Sequence, residues 1–322
     1  MFGLLPLAAL RLAAATFPQA EITNGSVSAT IYLPDTEKGY YRATRFDWSG
    51  VIAALTYRGH TYFGQWFDQY DPKIHDAISG PVEEFLSERA WADTKPGDPF
   101  MKIGVGFIRK PSAAAYQFSR TYEIIDAGRW TVKTQPDEVE FTQELSDEAS
   151  GYGYVYKKTV RLAKDKPDLV LEHSLKNTGQ KTIETSVYDH NFFVIDEQPP
   201  GPDFTVRFPF TLEPRDADLR NIAELRGDVM AFIRVMKKGE NVYSHLVGFG
   251  DDPKDYNIRV ENSKTGAGVR VTADQPLSAL AFWASSTTLC PEAFIKMSIE
   301  PGDEFKWQIT YHFYTLPLSR SE

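Results

Sequence analysis

The sequence predicts an all-β protein, a large antiparallel β-sandwich with few short helices, and three observations carry that prediction. Aromatic residues make up 13% of the chain, with 21 Phe, 16 Tyr and 6 Trp, and such side chains suit a pleated, half-buried surface. Turn signals recur at short intervals, and the segments between them alternate apolar and polar residues. There is no strand–helix–strand rhythm, no Gly-rich phosphate loop and no internal repeat of fixed period. The pattern implies roughly 15 to 20 strands, more than the about ten that one open sheet holds without curling.

The chain opens on a short apolar run, residues 4–15, too short to span a bilayer. Ala13, Ala14 and Ala15 look like a signal-peptidase site; the uncharged start and Arg11 inside the run argue against one. Residues 1–19 are therefore expected to be a signal peptide or an N-terminal segment, and residues 20–318 a single domain. An export signal implies a periplasmic or secreted protein, with a cytoplasmic location as the alternative.

Next, "AEITNGSVSATIYL" predicts a hairpin turning at Asn24-Gly25, and "GVIAALTYRGHTYFG" predicts two strands around Arg58-Gly59. "GPVEEFLSERAWAD", residues 80–93, predicts a short helix. "YQFSRTYEII", "RWTVKTQ" and "EVEFTQELS" predict a ladder broken at "DAG" and "PD". Residues 152–195 give three more strands, with turns at "KDKPD" and "NTGQK". A second short helix is expected around 216–224. "YSHLVGFG", "YNIRVENSKTGAGVRVTAD", "LSALAFWAS" and "EFKWQITYHFY" finish the strands. In the last of these Phe305, Trp307, Ile309, Tyr311 and Phe313 share one face and Lys306, Gln308, Thr310, His312 and Tyr314 the other, the signature of one-sided burial.

Composition removes several function classes. A net charge of −9 with no basic block is wrong for nucleic acid or anionic lipid. The single cysteine, Cys290, excludes a disulfide within the chain and a cysteine-rich metal site. No run is long enough for an integral membrane segment. There is no G-x-S-x-G elbow, and no two of the six histidines lie within four residues of each other.

The histidine in "VYDHNFFVID", residues 187–196, is the one that asks for a role. Tyr188, His190 and Phe192 fall on one face of this stretch and Val187, Asp189 and Asn191 on the other. Two readings compete there: a hydrogen-bonded core histidine, or a catalytic group on the wall of a pocket. His173 reads as structural and His312 as a solvated or hydrogen-bonded group on a polar face. His60 reads as a turn residue and His245 as a strand residue of either kind. His75 sits in "QYDPKIHDAISGPVEEF", a loop dense in turn residues, where sites gather.

Near the end, a glutamate follows a strand and what reads as a Cys-Pro turn: Cys290-Pro291-Glu292-Ala293, then Pro301-Gly302-Asp303 and Thr310-Tyr311-His312-Phe313. Together with "LVLEHSLKNTGQKTIETSVYDHNFFVI", this layout resembles the aldose 1-epimerase, or galactose mutarotase-like, superfamily. The resemblance implies a β-supersandwich, a carbohydrate substrate, and no cofactor or metal. It implies Glu292 as catalytic base, His190 as catalytic acid, and His75 as an oxygen-binding or second proton-handling group. Differences accompany it: Asp189 stands where the family has Asn, and Gly80 is the nearest glycine after His75 in place of the family's adjacent pair.

These residue types suit the reaction. Mutarotation takes a proton from the anomeric hydroxyl and gives one to the ring oxygen, so a carboxylate and an imidazole suffice, each worth about 10²–10⁴ in rate. Arg45, Glu84, Trp66, Tyr188 and Trp283 are the candidate substrate-binding groups. Arg45 offers a planar fork for hydroxyls or a carboxylate, and aromatic rings offer flat faces to sugar C–H groups. Glu84, with Glu83, reads either as a helix-start pair or as part of the site. Two other readings stand beside the epimerase. One is a lyase acting on a uronic-acid glycan, recruiting Arg45, Tyr188 and His190; the other is a non-catalytic sugar-binding protein on the same fold.

Overall fold

Alternation in the sequence becomes pairing in the structure. The computed structural model describes residues 17–317, so the apolar run read as an export signal lies outside the described residues. The first strand begins at Gln19. The described residues are 50% strand and 3% helical, all-β as the sequence predicts. The described residues form 23 strands, more than the roughly 15 to 20 implied by turn spacing.

Two large antiparallel sheets dominate. A ten-stranded sheet runs from Ala223–Arg226 at one edge to Arg129–Thr134 at the other, with the final strand Glu304–Thr315 between Ala267–Ala273 and Asp168–Asn177. A six-stranded sheet has the order Glu213–Asp218, Asn241–Val247, Ala279–Ser285, Leu289–Ile299, Ile183–His190, Val82–Phe85. Leu169, Leu171, Trp307, Ile309 and Tyr311 from the first pack with Ile183, Val187, Ile295 and Met297 from the second in one core. Fully burying each such side chain contributes about 1.5–3 kcal/mol. The final strand buries Trp307, Ile309, Tyr311 and Phe313 and exposes Lys306, Gln308 and His312, the division its alternation requires.

The first expected helix forms only in part, and the second gives way to strands. Within residues 80–93 only Glu88–Asp93 is helical; Val82–Phe85 pairs instead with Ile183–His190, Val82 opposite His190 and Glu84 opposite Tyr188. Helix nucleation is costly over so few residues, and sheet pairing outweighs it. Around 216–224 the chain forms the strands Glu213–Asp218 and Ala223–Arg226. Asp216, Arg220 and Asn221 have positive φ there, which no right-handed helix admits. In "YQFSRTYEII" only the end is strand, within Ile124–Asp126; Phe118 lies in an irregular, exposed segment.

The hairpins at Asn24-Gly25 and Arg58-Gly59 form as expected, with Gly25 and Gly59 at positive φ. His60 opens the strand His60–Phe63 and contacts Asp196 at 2.9 Å, so it is tied down rather than free in the turn. No described helix is long and apolar enough to cross a membrane.

Candidate active site

One register decision builds the site. Ile183–His190 pairs with Leu289–Ile299 as far as Tyr188 opposite Phe294. The backbone ladder then breaks, and a bridge between Phe193 and Leu289 resumes the same register. Within the gap His190 falls opposite Glu292, and cross-strand partners share a face. Their side chains meet there, His190 Nε2 lying 3.3 Å from Glu292 Oε1.

The cause of the gap is Pro291, which has no N–H to give to a ladder. Asn191 Nδ2 donates to the Pro291 carbonyl at 2.6 Å, and the Phe192 N–H points at Cys290 Sγ at 3.1 Å. Cys290-Pro291 is thus not a turn: it lies inside the strand Leu289–Ile299, and Glu292 is only 7% exposed. A proline in a central strand is uncommon enough to make the sequence read as a turn.

Phe192 carries strain at this point. Its φ is 42°, an outlier for a bulky residue. That conformation lays its ring against His190 at 3.7 Å and 14°, with Trp66 stacked on it at 4.9 Å. Phe46 and Trp283 meet His190 edge-on, each at 5.6 Å. Gly80 closes the other side: a Cβ there would sit 2.6 Å from the His190 carbonyl and 2.4 Å from that of Asn191.

Burial decides the charge state. Desolvation raises the Glu292 carboxyl from 4.5 to about 8, Arg45 pulling the other way and the Glu84 charge adding to the rise. Desolvation, with Arg45 nearby, pushes the His190 imidazole well below its ordinary value. At neutral pH the pair is therefore uncharged and holds one transferable proton on Glu292. His190 Nδ1 has no hydrogen-bond partner among the described residues.

A cleft of about 500 Å³ opens above the pair. All eight sequence candidates line it: His75, His190, Glu292, Arg45, Trp66, Tyr188, Glu84 and Trp283. Arg45 Nε donates to Glu84 Oε2 at 2.7 Å and Arg45 Nη2 to the Tyr188 hydroxyl at 3.2 Å, while Tyr188 donates to Glu84 at 2.5 Å. The Arg45 guanidinium lies 4.4 Å from the Phe46 ring and 4.5 Å from the Phe118 ring. Glu84 thus belongs to the cleft and not to a helix start. His75 reaches the cleft from its loop, half-buried, its ring 6.0 Å from Phe118 and its Nδ1 3.6 Å from Asp76.

The neighbours of these candidates divide between site and core. Asp47 and Trp48 are buried away from the cleft, Asp47 against Ser49 and Tyr156. Phe67 and Tyr70 stack on each other outside the cleft lining, and Tyr70 stacks on Tyr40. His173 is sealed in the core against Glu83 at 2.7 Å. Sequence reasoning missed Asp76, Glu88, Tyr116, Phe118, Tyr243 and Phe294, all of which line the cleft. Only Tyr243 carried a usable signal, the alternation of "YSHLVGFG". Among the described residues no group of three or more His, Cys, Asp or Glu is arranged to hold a metal ion.

No family model matches the chain, and no curated protein matches it. Solved structures do. Slr1438 from Synechocystis sp. PCC 6803 superposes with a TM-score of 0.58 at 13% identity, over 95% of this chain and 99% of that one. A galactose mutarotase related enzyme from Lactobacillus acidophilus gives 0.56 at 13% identity, over 94% and 100%. A GalM/aldose epimerase homologue from C. elegans gives 0.53 at 14% identity, over 94% and 100%. At such identities the likeness is one of architecture, and the chain has the galactose mutarotase-like β-sandwich fold that its sequence resembles.

Proposed function

We propose that this protein is a carbohydrate-active enzyme of aldose 1-epimerase-like kind, interconverting the anomers of a sugar by proton transfer through Glu292 and His190. The observation that carries this reading is the 3.3 Å Glu292–His190 pair on the floor of an aromatic-walled cleft. The anomeric hydroxyl and the ring oxygen share one carbon, so two groups whose tips are this close can each reach one of them. With Glu292 as base and His190 as acid, one proton passes in net from Glu292 to His190 before ring opening. Ring opening puts a proton on Glu292 and takes one from His190, and ring closure on the other face reverses both transfers, so the pair's proton count is the same throughout. No metal or redox group enters these steps.

The lyase reading loses support on one point. Its base must work beside a substrate carboxylate faced by a cation, and Arg45 is already held by Glu84 and Tyr188.

The test is polarimetry of freshly dissolved α-glucose and α-galactose, extended to a panel of other aldoses. Equilibration faster than the spontaneous rate for at least one sugar is expected. Spontaneous rates throughout, or unsaturated-uronate absorbance with a polyuronide, would end the epimerase reading.

A further inference from the structure

The catalytic pair is one segment of a longer row. On the six-stranded sheet Glu292 lies opposite Ala281, Ala281 opposite His245, and His245 opposite Arg215. Directly paired residues point to the same side, so this row lies on the cleft face. Beside it runs a second row, Trp283 opposite Tyr243. Ala281 is covered by its neighbours, while His245 and Arg215 stand exposed further along the row, outside the cleft lining. Two strand spacings separate Glu292 from His245, about 10 Å. That is more length than the one ring held by the pair requires.

Tyr243 stands at the margin of the cleft. It lines the cleft and is 37% exposed, one of the few large aromatic side chains of the described residues left open to solvent. Its hydroxyl meets His245 Nε2 at 2.9 Å, which fixes the ring and leaves His245 Nδ1 for another partner. Arg215, the next residue along the row, is exposed and has no ion-pair partner among the described residues. The opposite end of the cleft differs. There Arg45, Glu84 and Tyr188 satisfy one another beneath Phe118. Phe118 is exposed there too, with His75 beside it; the end toward Tyr243 differs in leading to a cation, Arg215, with no ion-pair partner among the described residues.

We propose that this face is a second sugar subsite and that the cleft takes the reducing end of an oligosaccharide. The terminal ring sits at Glu292 and His190, a reading that rests on the proposed function. The next ring stacks on Tyr243, and His245 and Arg215 bond the hydroxyls beyond it. The cleft volume, about 500 Å³, falls within the range of about 300–1,000 Å³ typical of ligand pockets.

The experiment is calorimetric titration of the wild-type protein with malto-, cello- and xylo-oligosaccharides of one to three residues. Polarimetry is run on the same sugars. In at least one series Kd is expected to fall about tenfold from one residue to three, the ratio that one stacked ring supplies. Tyr243→Ala should remove most of that gain, and Tyr243→Phe, which keeps the ring, should retain most of it. Equal affinity for one, two and three residues in every series overturns the subsite, and so does an absence of binding throughout. A length-dependent gain that survives Tyr243→Ala overturns it as well. Length-dependent binding lost in Tyr243→Ala, without any faster mutarotation, keeps the subsite and removes the epimerase reading. Faster monosaccharide mutarotation without length dependence does the reverse.

Discussion

Two Glu–His pairs lie on this sandwich, and they have opposite fates. Glu83 and His173 meet at 2.7 Å in the sealed core; Glu292 and His190 meet at 3.3 Å on the cleft floor. Each histidine is stacked on an aromatic ring, His173 on Trp307 and His190 on Phe192. Burial pushes both carboxyls up. In the core, Lys158 touches Glu83 directly and, with His173, outweighs burial, so that carboxyl falls to about 2. In the cleft no Lys or Arg of the described residues touches Glu292, burial wins, and the carboxyl rises to about 8. Direct contact with Lys158 and His173 holds one buried carboxyl charged, and without such a cation the other is held protonated.

Breaking the core pair should have the largest effect on stability. Glu83→Gln leaves the Lys158 ammonium buried without its carboxylate, and losing one partner of a buried pair costs about 3–5 kcal/mol. Denaturant unfolding would measure it, and a loss below 1 kcal/mol would mean that the pair is not sealed as described.

Breaking the cleft pair should instead strike the reaction. His190→Asn should lower the mutarotation rate by about 10²-fold, the lower end of what a positioned acid contributes. The double variant with Glu292→Gln should lose less than the product of the single losses, because the two groups act as a unit. Fully multiplicative losses would separate them.

The two carboxyls also predict opposite pH dependences of stability. Folding raises the Glu292 value, so the native state binds more protons than the unfolded chain between pH 4.5 and about 8. The stability this group contributes is full below pH 4.5 and is lost as pH rises through about 8. Folding lowers the Glu83 value, so its contribution is full above pH 4.5 and is lost as pH falls through about 2. Wild type compared with Glu292→Gln by denaturation from pH 5 to 9 should show the variant gaining relative stability with rising pH. A constant difference would contradict the raised carboxyl.

On the reaction Glu84→Gln should give the smallest effect, while leaving Arg45 and the buried Lys102 without their carboxylate costs stability. The Glu84 charge helps to hold Glu292 up, and its partner Arg45 pulls Glu292 down. Removing the charge therefore lets the Glu292 carboxyl titrate lower, and the pH–rate profile should move toward acid. An unmoved profile would detach Glu84 from the pair.

Much of this was legible in the sequence. Alternation over residues 183–192 puts Tyr188, His190 and Phe192 on one face and Asp189 and Asn191 on the other. The structure keeps that division: Tyr188, His190 and Phe192 line the cleft, and Tyr311, in the core, donates to Asp189 at 2.6 Å. What failed was local propensity against tertiary pairing. Residues 216–224 carry helix-forming side chains, yet Glu213–Asp218 satisfies its backbone against Asn241–Val247. Pro291 hides a strand behind a turn signal. The Arg45–Glu84–Tyr188 cluster joins residues 39 and 143 positions apart, and no local pattern encodes such a meeting.

The proposed function requires Glu292 to handle the anomeric proton, and Glu292→Gln tests that most directly. The substitution keeps the side chain's size and removes its transferable proton. Polarimetry on the sugar turned over fastest by the wild type, with a denaturation curve on the same sample, reads both properties together. The predicted result is a mutarotation rate lower by about 10²-fold or more with a denaturation midpoint at neutral pH no lower than that of the wild type. An unchanged rate in a folded Glu292→Gln protein would contradict the assignment.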